Sequence, residues 1–370
     1  MGEDGLYLNQ KQERGDDLND FQDEEQLVKP VENGDGEEEA TVKRNKNNYR
    51  RLFSVCAMSL LVSYIIVLVF RAVTDYLSQQ HPGGLLSGSN DMNLLVSSAI
   101  MYLIGMPAAY LIMRIIPKQK IRRKKLSLSR FFAILSVSFL VVLIGNMAGN
   151  TLSALLTAGN AENSVVSIAS QSSIITTIIL TIAAPVFEEL VFRKAMLDRL
   201  VCCGEKWALI FTALCFAMYH MNLFQFFYAF GVGIVFGYTY LRTGKVIYNI
   251  LLHVFVNLMG GVIAPLAVSA LDTEGIAKLF ELIGANAPVP DELLQSVLPG
   301  LLGFIVYNLV LYGLGAAGII IFILRFRKIR FVKRENEPEA AAGISAMLLN
   351  AGMILFIAFS VAFTSKNLFS

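Results

Sequence analysis

Three short stretches in the middle of this 370-residue chain hold the side chains best suited to chemistry in an apolar setting. They are PVFEELVFR over 185–193, FAMYH over 216–220 and HVFVN over 253–257, each embedded in hydrophobic sequence. An ionisable group inside a membrane span costs about 2.5–3.5 kcal/mol on insertion scales and generally marks function. One such group is commonly a helix-packing contact, whereas a cluster in consecutive helices points to a site. Glu188 and Glu189 are helical neighbours pointing about 100° apart, so they serve different faces. Glu189 stands four residues before Arg193, the favourable order for an ion pair. That pairing leaves Glu188 free to face the bundle interior, where a carboxylate can take a proton from water. His253 and Asn257 are four apart and share a helix face, on which Asn249 also lies.

The elements that must position these groups are membrane helices. Hydrophobic residues make up 55% of the chain and charged residues 16%, against about 25% charged in soluble domains. Apolar runs over 93–113 and 299–324 reach the roughly 20 residues needed to cross a bilayer. The pattern predicts an all-α, polytopic transmembrane bundle with eight or nine spans. The candidates lie at 52–74, 93–116, 130–150, 173–200, 205–221, 223–241, 245–266, 299–325 and 343–363. Cytoplasmic connections are rich in Lys and Arg. Arg50 and Arg51 therefore place the amino terminus inside, as do Lys118, Lys120, Arg122, Arg123, Lys124 and Lys125 for their loop. Arg325, Arg327, Lys328, Arg330, Lys333 and Arg334 mark a later inner loop. With inner turns near 202–204 and 243–244, Glu188 and His220 rise about 21 and 24 Å, and His253 and Asn257 about 14 and 20 Å. Modest tilt brings all four into one layer.

The chain divides on composition into five parts. Residues 1–48 form an acidic cytoplasmic tail, with Asp16, Asp17, Asp23, Glu24, Glu25 and Glu37 to Glu39, that cannot bury enough apolar surface to order itself. Residues 49–169 hold amino-terminal membrane helices, 170–266 the core with the three motifs, 267–298 an extracytoplasmic segment, and 299–370 the last membrane helices. Cys56, Cys202, Cys203 and Cys215 form neither a disulfide framework nor a CxxC zinc motif. There is no Gly-rich phosphate loop and no nucleic-acid module, so nucleic acid is not an expected partner; the basic runs read as topology determinants.

The motifs EExxxR (Glu188, Glu189, Arg193), FxxxH (Phe216, His220) and HxxxN (His253, Asn257) together resemble those of the CAAX-protease and bacteriocin-processing family, also called CPBP or Abi. The resemblance covers about residues 170–265 and implies an intramembrane endopeptidase. It implies that Glu188 and His220 activate water, that His253 and Asn257 stabilise the tetrahedral oxyanion, and that Glu189 and Arg193 support them. The family is commonly labelled a metalloprotease. Glu188, His220 and His253 are accordingly the candidate ligands for a divalent metal such as zinc, although the HExxH arrangement is missing. The implied substrate is a membrane-associated protein or peptide, through CAAX-type processing or pheromone or bacteriocin maturation, and the implied setting is a bacterial plasma membrane. Two other readings stand beside it. One is a proton- or ion-coupled transporter, against which the chain shows no internal repeat. The other is a non-catalytic immunity or scaffold protein, which need not retain every chemical group.

Because the acidic tail lies outside the helical core, removing residues 2–42 is expected to leave membrane insertion and activity largely intact. A truncated protein that inserts normally and is inactive would show instead that the tail recruits substrate.

Overall fold

The computed structural model describes residues 35–81, 90–161, 173–333 and 337–369. The chain divides into two units, Met1–Thr41 and Val42–Ser370, and the second carries all three motifs. The acidic residues before position 35 lie outside the described residues, whereas residues 35–48 of the tail expected to be unordered, Glu37 to Glu39 among them, are helical at the start of the first helix.

The described residues form helices joined by short connections. In chain order these are α1 (Asp35–Gln80), α2 (Asn90–Ala99), α3 (Met106–Met113), α4 (Leu128–Thr157), α5 (Ile174–Glu189), α6 (Glu205–Tyr219) and α7 (Leu223–Thr243). They continue with α8 (Val246–Leu258), α9 (Ala264–Ser269), α10 (Thr273–Gly284), α11 (Asp291–Arg325), α12 (Ala340–Leu348) and α13 (Ala351–Phe369). Three of these helices run on through π-helical turns: α2 through Ile100–Gly105, α5 through Leu190–Leu197, and α8 through Met259–Ile263.

Seven stretches among the described residues are long and apolar enough to cross a membrane. They are Asn47–Gln80, Asp91–Met113, Leu128–Thr157, Leu223–Thr243, Val246–Ser269, Asp291–Lys328 and Ala351–Phe369. A chain with this many apolar helices is an integral membrane protein, in keeping with the expected helical bundle. The expected spans at 173–200 and 205–221 are helical but are not among the seven. The second of them is α6, only 15 residues long and so short of a full crossing. The stretch expected as one span over 343–363 is two helices. Asn350 breaks it: its amide donates to Ala346 O and Met347 O at 3.0 and 2.8 Å, and its Oδ1 accepts from Met353 N at 2.9 Å. One side chain thus ends α12 and starts α13. The extracytoplasmic segment expected over 267–298 contains α10, started by Asp272, whose carboxylate accepts from Gly275 N at 2.8 Å.

Packing obeys the logic of helices in lipid, where small residues let backbones approach. A Cβ at Gly145 or Gly149 of α4 would collide with the backbone of Tyr228 or Phe224 on α7, and one at Gly318 of α11 with Ser136 O of α4. These glycines seat α4 between α7 and α11. The turn Leu190–Leu197 lies at the centre, in contact with α3, α6, α7 and α8. It contributes Val191, Phe192, Ala195, Met196 and Leu197 to the main buried cluster. Sharp turns bring the next helices back. Gly244, at φ +58°, ends α7 and donates to Tyr240 O at 2.7 Å, in the left-handed geometry that glycine adopts without strain.

The basic segments gather at one end of this bundle. Gln119 N donates to Asp198 O at 2.7 Å, Lys124 N to Thr243 O at 2.8 Å and Val332 N to Glu205 Oε2 at 2.9 Å. The loop over 117–127 and the segment after α11 therefore sit on the same ends of α6 and α7. A Lys120→Cys and an Arg330→Cys variant should accordingly react with an impermeant maleimide from the same side, the cytoplasm, as the charge rule requires. Labelling of the two from opposite sides would overturn this arrangement.

Candidate active site

The site is built where α5, α6 and α8 converge on one buried carboxylate. Pro185 inside α5 removes one backbone donor and leaves the Thr181 carbonyl without its helical partner, one turn before the glutamates. Beyond Glu189 the helix widens into the π turn that carries Arg193. Glu189 is 0% exposed. Its Oε2 stands 3.0 Å from Arg193 Nε, and its Oε1 stands 3.0 Å from His253 Nδ1. The expected pairing of Glu189 with Arg193 is present. The second contact, to His253, has no sequence signature, because 64 positions separate the partners.

Against a carboxylate, His253 Nδ1 carries a proton and donates it. The other ring nitrogen, Nε2, then faces Glu188 Oε2 at 3.7 Å. That separation is too long for a direct hydrogen bond, and a water or substrate oxygen set beside the pair can reach both atoms. Glu188 retains some exposure, 12% for its side chain, where Glu189 has none. The two neighbouring glutamates therefore occupy distinct surroundings, as their angular separation on the helix requires.

His220 reaches the same region from the carboxyl end of α6, where backbone carbonyls lack helical partners. Side chains satisfy several carbonyls of this turn. His220 Nδ1 stands 2.8 Å from Phe216 O, and α13 supplies two further donors: Ser360 Oγ to Met218 O and Asn367 Nδ2 to Met221 O, both at 2.9 Å. The chain then turns through Met221 at φ +50°, and Asn222 caps α7 by accepting from Phe224 N at 2.9 Å. With Nδ1 of His220 held by the backbone, its Nε2 is the nitrogen left for chemistry. His220 lies within electrostatic range of both Glu188 and His253.

The Phe of the FxxxH motif is the packing centre of the site. The Phe216 ring meets His220 edge-on at 4.9 Å, His253 at 5.8 Å and Phe192 at 5.1 Å, and the Arg193 guanidinium lies over it at 4.8 Å. It separates the two histidines and gives the buried cation an aromatic face. The FxxxH spacing marks this residue but gives it no role, because three of its four neighbours come from two other helices.

Asn257 is half-buried one turn beyond His253 on α8, and the π turn Met259–Ile263 begins just after it. Asn249, on the same face, is fully buried and donates to Phe236 O at 2.7 Å. It ties α8 to α7 and also lies beside Glu189, behind His253. Among the described residues no three His, Cys, Asp or Glu side chains converge as a metal-ligand set. Glu188, His220 and His253 thus do not form a preassembled cage; both histidines hold Nδ1 on a carbonyl or carboxylate and leave Nε2, the arrangement a metal-bound imidazole also uses.

Removing one member of a buried ion pair leaves the other charge uncompensated, at a cost of about 3–5 kcal/mol. Arg193→Ala is therefore expected to lower the thermal midpoint and the yield of folded protein, with Glu188→Gln close to wild type. Equal losses for the two variants would dissolve the division between a structural and a chemical glutamate.

No curated protein and no solved structure matches the chain. One family model does: residues 170–259 match the family described as type II CAAX prenyl endopeptidase Rce1-like. That span contains Glu188, Glu189, Arg193, Phe216, His220, His253 and Asn257. The segment that holds every candidate site residue is therefore similar to the CAAX-protease, or CPBP, family.

Proposed function

We propose that this protein is an intramembrane endopeptidase of the CAAX-processing type, hydrolysing one peptide bond of a membrane-associated protein or peptide. The observation that carries the reading is the opposition of Glu188 Oε2 and His253 Nε2 at 3.7 Å, with His253 braced from behind by Glu189 and Arg193. A water set beside the pair has a base on one side. A substrate carbonyl oxygen there has a donor on the other.

In this mechanism Glu188, with His220 beside it, takes a proton from water as the water oxygen bonds to the scissile carbonyl carbon. The carbonyl π electrons move onto oxygen, and the resulting oxyanion accepts hydrogen bonds from His253 Nε2 and the Asn257 amide. For that donation the His253 ring carries a proton on each nitrogen, with the Glu189 carboxylate as counter-charge. Collapse of the intermediate breaks the C–N bond, and Glu188 returns its proton to the departing amine. Every step uses side chains present in the site, and none is routed through a metal.

Prenylated protein tails and bacterial pheromone or bacteriocin precursors both meet the requirement for a membrane-associated chain. We place the protein in a bacterial plasma membrane; its basic loops put the amino terminus in the cytoplasm.

Glu188→Gln preserves size and hydrogen bonding and removes the base, so cleavage should fall about 10²–10⁴-fold in a protein that still folds. His220→Ala should behave alike. Comparing membrane-associated peptides from cells carrying wild-type or Glu188→Gln protein identifies the substrate. A purified, folded Glu188→Gln protein that cleaves it at the wild-type rate would sink the proposal. Chelators are expected to leave the wild-type rate unchanged; inhibition reversed by zinc would require Glu188, His220 and His253 to rearrange into a ligand set.

A further inference from the structure

Each π-helical turn among the described residues adjoins conspicuous side chains, and two of the three lie in the site. Leu190–Leu197 comes directly after Glu188 and Glu189 and contains Arg193; Met259–Ile263 comes after His253 and Asn257. The third, Ile100–Gly105, lies in the amino-terminal helices, outside the segment that matches the family. A π turn inserts one residue into a helix and re-aims the side chains around it, and such turns are frequent at functional sites.

The side chain re-aimed by this third turn is Tyr102. Its ring stacks on Phe187, the residue before Glu188, with centroids 5.7 Å apart and planes at 20°. Tyr102 and Glu188 lie within electrostatic range of each other. The turn is anchored on both sides of Tyr102. The Tyr219 hydroxyl sits between Ser63 Oγ of α1 at 3.1 Å and Met101 Sδ at 3.3 Å. Gly105 lies so close to α1 that a Cβ there would collide with Val67. Tyr102 is thus delivered to Glu188 by contacts with α1 and α6.

We propose that Tyr102 is a positioning residue for Glu188, its hydroxyl donating to the carboxylate and keeping Oε2 turned toward His253 Nε2. The proposal rests on the protease reading for its kinetic consequence, and on the ring stack and the anchored turn for the placement of Tyr102. The two glutamates then differ in kind of partner. Glu189 is held by the Arg193 cation and is structural, whereas the phenol that orients Glu188 is neutral and adds no counter-charge of its own. A base needs a defined direction and a carboxylate not committed to a direct ion pair. A fixed donor from a separate helix supplies the first without removing the second.

Tyr102→Phe keeps the ring stack on Phe187 and deletes only the hydroxyl. In cleavage assays kcat is expected to drop about ten- to a hundredfold with KM within about twofold, as misplacing a reacting group does. In a Glu188→Gln background the same change should cause no further loss. A second readout is independent of activity: thermal midpoints of wild type, Tyr102→Phe, Glu188→Gln and the double variant. Non-additive shifts would establish the coupling. A folded Tyr102→Phe protein with wild-type kcat overturns the positioning role, and additive midpoints overturn the contact. Failure of the wild-type protein to cleave would count against the protease reading, and the thermal cycle would still decide the contact.

Discussion

The rest of the site depends on a carboxylate that water never reaches. Glu189 is fully buried and is engaged on both oxygens, by Arg193 on one and by His253 on the other. Burying a charge in a bundle surrounded by lipid is costly unless the charge is paired and held in good geometry. Here the requirement works as a constraint on structure. It locks α5 to α8, orients the His253 ring, and sets Arg193 against the faces of Phe216 and Phe236, at 4.8 and 5.9 Å. Loosening any of these contacts would expose the others to an apolar medium with no substitute partners.

With the back of His253 held, its front is free for Glu188, and adjacent glutamates take opposite parts. The distinction arises from helical geometry alone, since neighbouring positions cannot face the same way. The π turn that begins at Leu190 keeps the helix wide at this point, so that Arg193 and Glu189 meet in the interior while the chain continues toward the basic end. Sites that require such irregular turns give up regular hydrogen bonding locally, and membrane proteins tolerate that only where the backbone is enclosed by protein. Leu190–Leu197 is enclosed on four sides, by α3, α6, α7 and α8.

Helices outside the family-matched segment complete the site. α13 satisfies Met218 O and Met221 O at the end of α6, which steadies the turn carrying His220. α4, drawn close by Gly145 and Gly149, buttresses α7. A core of about ninety residues would leave these carbonyls and faces to lipid, where unsatisfied backbone groups cost several kcal/mol each.

By itself the sequence determined that the chain lives in a membrane as helices, and which residues are chemically conspicuous. Hydrophobic length and charge sparsity set the first, because lipid admits few other solutions. The second was legible because ionisable groups stand out against apolar runs, and Glu189 and Arg193 could be paired because four residues is one helical turn. Local rules of that kind stop at the end of a helix. Nothing in the spacing announced that Asn350 breaks an apolar run in two, since its amide acts on carbonyls that any helix would offer. The bond between His253 and Glu189, the four contacts of Phe216 and the approach of Tyr102 to Glu188 join helices far apart in the chain. A phenylalanine or tyrosine in an apolar span carries no mark of its partner. Only the packing of helices, decided by glycines and by where buried charges find each other, brings those rings to the site.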